Sequence, residues 1–414
     1  MSGNTLLTPT MITKEVLRVL HNSLHFASAV TRSYDDSFAN SGATVSGKIG
    51  PSLRIRRPNR YTVSTGAALA VQDLTEDYAT LTVSTQKHVD MRFATADLTL
   101  TIDEFSDRYI RPAGLLLAST IDYDGLQKVA DIYNLTGVAG TNPGGATSGD
   151  AKAPDVFLNA SAYLSNYSCP EDERTCVLSP FAQASSVAGL SGLFNPQSAI
   201  GRQYENGTIG QALGMEFKMD QNVPRFTTGS RVAATGGTFT SVSTDGATIV
   251  ISSTDSLTYA AGDVFYFSTG TAVNTVNWET HKDTGTVQKF VVTAAATSVS
   301  STTTLSISPS IITSGATQTV TNAPTSGAVL TFIGTASTSY PHNILFHKDA
   351  FALATADLVL PKGVDMAARE VYDGISVRLV RQYDINNDNI VARIDVLYGW
   401  LSLRKELACR IIGL

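Results

Sequence analysis

Residues 290–347 read FVVTAAATSVSSTTTLSISPSIITSGATQTVTNAPTSGAVLTFIGTASTSYPHNILFH, without an Asp, Glu, Lys or Arg among them. Ser, Thr, Gly, Ala and Val dominate this run and the stretch before it, back to Arg225. Disorder requires low hydrophobicity, usually with high net charge. Here short β-branched runs recur between turn signals, which is the pattern of strands. The candidate strands are 231–233, 248–252, 264–268, 286–293, 303–308 and 328–333. Turns such as Asp245-Gly246 and Gly262-Asp263 separate them. Short strands with so little charge predict a small antiparallel β-barrel or sandwich over 225–341. Residues 274–285, with Trp278, Glu279, His281, Lys282 and Asp283, are predicted to form a surface loop of that module.

Outward from the block the chain changes character. Thr8-Pro9 is a good helix start, with Thr as cap and Pro at the first helical position. Ile12, Val16, Leu20 and Leu24 then repeat at i, i+4 and make one apolar face. That face packs either on the chain's own core or on a partner, a neighbouring chain or a scaffold. Residues 46–93 alternate apolar and polar positions with period two, the signature of strands. If extended, 78–93 alone would reach roughly 50 Å at ~3.3 Å per residue, a length that suits an arm crossing onto a neighbour. Asp103 opens a helix predicted to run to Tyr133, with Pro112 and Gly114 expected to kink or interrupt it. A glycine-rich loop (137–149), helices at 154–167 and 180–193, a short buried strand at 175–178 and a further helical turn at 198–205 follow. Beyond the block, strands are expected at 374–384 and 390–400 around an Asn/Asp-rich turn. A module of one class thus interrupts a mixed α+β host.

Composition narrows the function. The chain has 414 residues, 16% of them charged, below the usual quarter. A subunit that buries much of its surface against neighbours has this composition, as does a charge-poor β protein. A net charge of −6 gives no global drive toward nucleic acid. Cys169, Cys176 and Cys409 match neither a disulfide framework nor a zinc spacing and read as buried thiols. The N-terminus has no export-signal pattern and no run approaches a membrane span, so a soluble protein made in the cytoplasm is expected.

No constellation points to catalysis, a cofactor or a metal. Residues 384–395 partly fit a calcium loop, but Asn389 replaces the sharp-turn glycine and both flanks read as strands, so a polar hairpin turn is expected. Gly207, Gly210 and Gly214 lack the Gly-Lys-Ser/Thr of a phosphate loop and read as a close-approach bend. His21 and His25 share a helix face without a third ligand. Arg54, Arg56, Arg57 and Arg60 form a basic patch on the strand arm. It is either a solvated face or a contact with acidic residues of a neighbouring subunit, because Arg favours interface carboxylates.

At this point the chain resembles the major coat proteins of short-tailed phages, in the branch with an inserted domain. The resemblance is carried by GTIGQALGMEFKMDQNVPRFTT (207–228), NILFHKDAFALATADLVL (343–360), YDGISVRLVRQYDINND (372–388) and RIDVLYGWLSLRKELACRII (393–412), and it covers nearly the whole chain. It implies the α+β capsid fold shared by tailed phages and herpesviruses. The parts would be an N-terminal arm (1–45), an extended β loop (46–95), a peripheral domain with a long spine helix and the first part of an axial domain (96–224), an inserted small β-barrel (225–341), and the remainder of the core (342–414). It also implies self-assembly into hexamers and pentamers of an icosahedral head, with scaffolding and portal proteins as partners. Packaged DNA would be touched only through non-specific contacts, with no membrane involved. The chain would end in the virion after assembly in the host cytoplasm. An exported adhesin or S-layer-like protein would also explain the Ser/Thr-rich block, but calls for an export signal.

Overall fold

The computed structural model describes residues 9–32, 52–67, 69, 71–72, 76–94, 111–145, 152–190, 209–231, 237–253, 256–299 and 301–414. They form two compact units. The first draws on Met1–Arg56, Tyr78–Gly125 and Phe351–Leu403, and the second on Arg57–Asp77, Leu126–Ala350 and Arg404–Leu414.

The first unit is organised by the strand Asn389–Ser402. It pairs antiparallel with Ile375–Asp384, Phe351–Ala356 and Thr85–Ala94, and Met366–Tyr372 adds outside Ile375–Asp384. Its alternation buries Ile394, Val396 and Tyr398 on one face. The turn at its start is polar, as expected: Asp384 accepts from the Asn386 N–H, and Asp388 takes positive φ. The expected 78–93 arm is not one strand. Tyr78–Thr82 pairs with Ser52–Arg56, and Thr85–Ala94 is zipped along Asn389–Ser402 in the unit's own sheet. Period-two alternation fixes a face, not which strand will satisfy the ladder.

The helix Pro9–Ser23 packs on Met366–Tyr372 and Ile375–Asp384 of this sheet. Helix Arg111–Leu126 is shorter than the predicted 103–133. It continues as a 3₁₀ turn, Gln127–Asp131, and its predicted start lies outside the described residues. Pro112 sits in the first turn of this helix, where its missing N–H costs nothing, and the residues before Arg111, where an interruption would fall, lie outside the described ones. Gly114 allows close packing: a Cβ there would lie 3.4 Å from the Val16 carbonyl oxygen and from Val19 Cγ1. Buried Asp122 accepts the backbone N–H groups of His25 and Ala27 at 2.7 and 2.8 Å and so fixes the chain as it leaves the first helix.

The second unit joins a seven-stranded sheet to a six-stranded one. The seven-stranded sheet runs Leu135–Thr136, Ala408–Ile412, Ser339–His347, Arg174–Leu178, Met215–Met219, Gln211–Ala212, with Arg225–Thr227 also on Ser339–His347. The expected buried strand and the helices Asp155–Asn166 and Pro180–Leu190 are present; 198–205 lies outside the described residues. Gly207 lies outside the described residues, and the bend at Gly210 and Gly214 has a different cause from the one expected. Gly210 and Gly214 take positive φ around a tight hairpin, and a Cβ on Gly214 would meet nothing within 4 Å.

The six-stranded sheet is ordered Leu330–Phe332, Val264–Phe267, Phe290–Val292, Thr302–Ser308, Thr248–Ser252, Thr238–Val242. Its edge strands meet: Phe239 N–H donates to Ala328 O at 2.8 Å and Leu330 N–H to Gly237 O at 3.0 Å, closing the ladder into a barrel. Inside are Phe265, Phe267, Phe290, Phe332, Tyr259, Ile249, Ile251 and Leu305. Two strand expectations fail here. Residues 286–293 break into Asp283–Val287 and Phe290–Val292, because Gln288 and Lys289 turn away from the ladder to bond Tyr167 and Tyr163. Residues 274–285 are not an open loop but a hairpin of Asn274–Val276 with Asp283–Val287. Its turn is docked by Asn277, whose side-chain amide donates to Asn166 O and Ser168 Oγ. Strand 231–233 falls largely outside the described residues.

Candidate assembly surface

The arginine-bearing segment divides between the two units. In the first, Ser52–Arg56 turns Ile55 inward against Ala79, Leu81, Val83, Ala354 and Leu403, and this alternation leaves Arg54 and Arg56 exposed on the other face. The Arg54 guanidinium lies 4.8 Å from the centre of the Tyr78 ring, a cation–π contact at an exposed site.

In the second unit, Arg57–Asp77 forms a strap closed at its base by an ion pair, Arg57 Nη1 to Asp77 Oδ2 at 2.9 Å. Within it the Gln72 amide bonds both backbone groups of Thr62. Arg60 stacks 3.2 Å over the Trp278 ring, and the Tyr61 carbonyl lies 3.2 Å from His281 Nε2. Trp278 in turn meets Tyr167 edge-on, and Tyr167 meets Tyr133. Burial lowers the Arg60 pKa against the opposing pull of Glu406; burial likewise lowers Lys405 and raises Glu406. The strap exposes apolar side chains among polar ones such as Asn59, Ser64 and Thr65. Val63 is 92% exposed, Leu69 90% and Val71 81%. The sequence reading placed Trp278 in a surface loop and did not single out Val63, Leu69 or Val71; their signal was a Val/Leu series among small polar residues, which carries no periodicity.

Of the helix-face residues, Val16, Leu20 and Leu24 are buried within the first unit, so of the two alternatives their side chains are spent on the chain's own core. Ile12's side chain lies outside what the structure describes. The three cysteines are buried free thiols, and burial raises all three pKa values, Cys169 to about 11 and Cys409 to about 12. Among the described residues, no three His, Cys, Asp or Glu side chains gather as a metal site, and no helix is long and apolar enough to cross a membrane.

Comparison with known proteins follows from this geometry. The family model described as P22 coat protein, gene protein 5, matches residues 1–413. Among solved structures, the chain is similar to one from Mycobacterium phage Che8, with 12% identity, 94% of this chain and 90% of that one covered, and a TM-score of 0.47. It is also similar to the capsid of the cyanophage P-SCSP1u, with 12% identity, coverage of 90% and 85%, and a TM-score of 0.44. The mature capsid of bacteriophage PhiM1 gives 12%, 90% and 88%, and 0.44. No curated protein sequence matches the chain.

Proposed function

Because the chain belongs to the P22 coat protein family, we propose that it closes an icosahedral phage head as hexamers and pentamers, with a scaffolding protein and a portal as partners. Membership itself makes the chain a structural major capsid protein, a self-assembling component of the virion. The match over residues 1–413 is the observation that carries the reading. In the proposal, assembly takes place in the host cytoplasm and the enclosed DNA meets the shell only through non-specific contacts. The strongly exposed Val63, Leu69 and Val71 support it, since contact with a neighbouring subunit would remove their apolar surface from water.

Two finer parts belong to the same proposal. Residues 225–341 act as an inserted β domain with a core of its own, supported by the closed ladder and its separate aromatic cluster. Expressed alone, this segment is expected to give dispersed amide signals and a cooperative melt; a random-coil spectrum would refute its autonomy. Arg54 and Arg56 serve contacts between subunits, supported by their exposure beside a strand that is fixed from behind. Arg57 and Arg60 take part through the strap that they hold in shape. The test is Arg54→Ala with Arg56→Ala, assayed by light scattering for particle yield at several salt concentrations and by melting of the unassembled chain. Reduced yield with an unchanged melt is expected; normal yield at every salt concentration would refute the contact.

A further inference from the structure

The carboxyl-terminal strand carries a charge that the assembly reading does not use. Arg410 is fully buried in the middle of Ala408–Ile412, between Ser339–His347 and Leu135–Thr136. Alternation sends its side chain out on the face it shares with Ala408 and Ile412. That face meets the base of the barrel, where Arg410 Nη1 donates to the Gly262 carbonyl at 3.0 Å. Its Nε and Nη2 meet no acceptor among the described residues. Those two N–H groups form the parallel edge with which a guanidinium grips an anion bidentately.

The buried carboxylate in this seam is committed elsewhere. Asp263 Oδ1 takes Nη2 of Arg231 at 3.2 Å, and Oδ2 takes the backbone N–H groups of Gly229 and Ala260 at 3.2 and 2.9 Å. Arg231 is also fully buried; its Nη groups reach the carbonyls of Ile333 and Gly334, and its Nε meets no acceptor among the described residues. Two buried guanidiniums therefore stand against one buried carboxylate. His342 lies two residues along the neighbouring strand from Arg410's pairing partner Ile344. Burial and then Arg410 hold its pKa well below the ordinary value, so it adds no negative or positive charge. Its Nδ1 meets no hydrogen-bond partner among the described residues, and it lines a small cavity with Gly262, Asp263 and Ile412. Burial pulls Arg410 itself down to about 10, against the opposing fields of Asp263 and the half-buried Asp131.

We propose that the Nε/Nη2 edge of Arg410 binds a monovalent inorganic anion, of the size of chloride, in the seam between the barrel and the carboxyl-terminal strand. A compact anion accepts several N–H groups at once and adds negative charge against the guanidinium edge, where Asp263 is bonded to Arg231 and Asp131 acts only as a field. Water meets the hydrogen-bonding need but leaves the charge, whose uncompensated burial is costly. The anion then ties Ala408–Ile412 to the base of the barrel, where Arg410 reaches only the Gly262 carbonyl among the described residues.

The test uses bromide on the full chain. Crystals soaked in sodium bromide are expected to show an anomalous peak within hydrogen-bonding reach of both Arg410 nitrogens. In solution at constant ionic strength, replacing gluconate by bromide is expected to raise the melting temperature by roughly 1.5 °C for each tenfold of bromide above its dissociation constant. Arg410→Lys, which keeps the charge but loses the parallel edge, should abolish that response. No peak, or density refined as water only, overturns the proposal, and so does an equal bromide response in Arg410→Lys. If that variant fails to fold, the wild-type crystal decides alone.

Discussion

The barrel and the five-stranded sheet of the first unit are both antiparallel β structure, yet they are held by different forces. The barrel closes on aromatic rings: Phe265 lies 5.2–5.8 Å, centre to centre, from Phe267, Phe290 and Phe332. The five-stranded sheet buries a charge instead. Asp395 is 0% exposed and takes Arg378 in a two-pronged pair at 3.0 and 2.5 Å, plus Gln86 Nε2 at 2.8 Å. Around it run Arg381–Asp365, Arg369–Asp357 and Arg393–Asp90. Apolar burial scales with area and ignores salt, whereas a buried pair depends on both partners being present. The two regions should therefore respond to different perturbations.

The largest expected effect is in the barrel. Phe265→Ala removes a ring from the middle of the aromatic cluster and should cost about 3–5 kcal/mol, read from denaturant unfolding. A cost under about 1 kcal/mol would mean that the cluster is not the barrel's core. In the sheet, Asp395→Ala strands a largely buried Arg378 and should cost about 3 kcal/mol. The sharper experiment replaces the pair, Arg378→Met with Asp395→Leu, and should recover most of that loss. If the double variant is as unstable as the single, the pair is not the unit that matters.

A pH scan separates the regions in a second way. His342, at the root of the barrel, has its pKa held well below 6.5, first by burial and then by Arg410. The unfolded chain takes up this proton near 6.5 while the folded chain does not. Its contribution to stability is therefore present above pH 6.5 and lost as pH falls below it, at up to ~1.4 kcal/mol per pH unit, until the folded value is reached. His342→Gln should flatten that slope; an unchanged slope would place the acid sensitivity elsewhere. The smallest effect is at the strap. Arg60→Ala removes the stack on Trp278 and should cost about 1 kcal/mol or less, with the Trp278 fluorescence shifted to longer wavelength as its ring meets water. An unchanged spectrum would mean that the stack does not shield the ring.

What was legible in the sequence follows the same division. Strands 248–252, 264–268 and 303–308 were readable because β-branched residues and turn glycines mark a barrel wall locally, and the 374–400 hairpin because its alternation is long. Trp278 was misread because Glu279, Lys282 and Asp283 around it look like an exposed loop, while the partners that half-bury it, Arg60 and Tyr167, are distant in sequence. The 78–93 arm was misread for a related reason: the strand that claims Thr85–Ala94 begins at Asn389. Family text in 343–412 reached the function, whereas the Val63–Val71 strip has no local signature and became visible only through its exposure.

The central claim, that this chain is a shell-forming coat protein, is tested most directly by electron microscopy of the purified chain in negative stain, with and without the scaffolding protein proposed as its partner. The account predicts closed, uniform, roughly spherical particles in at least the scaffolded sample. Fields of dispersed monomers under both conditions, across protein concentration and salt, would contradict it.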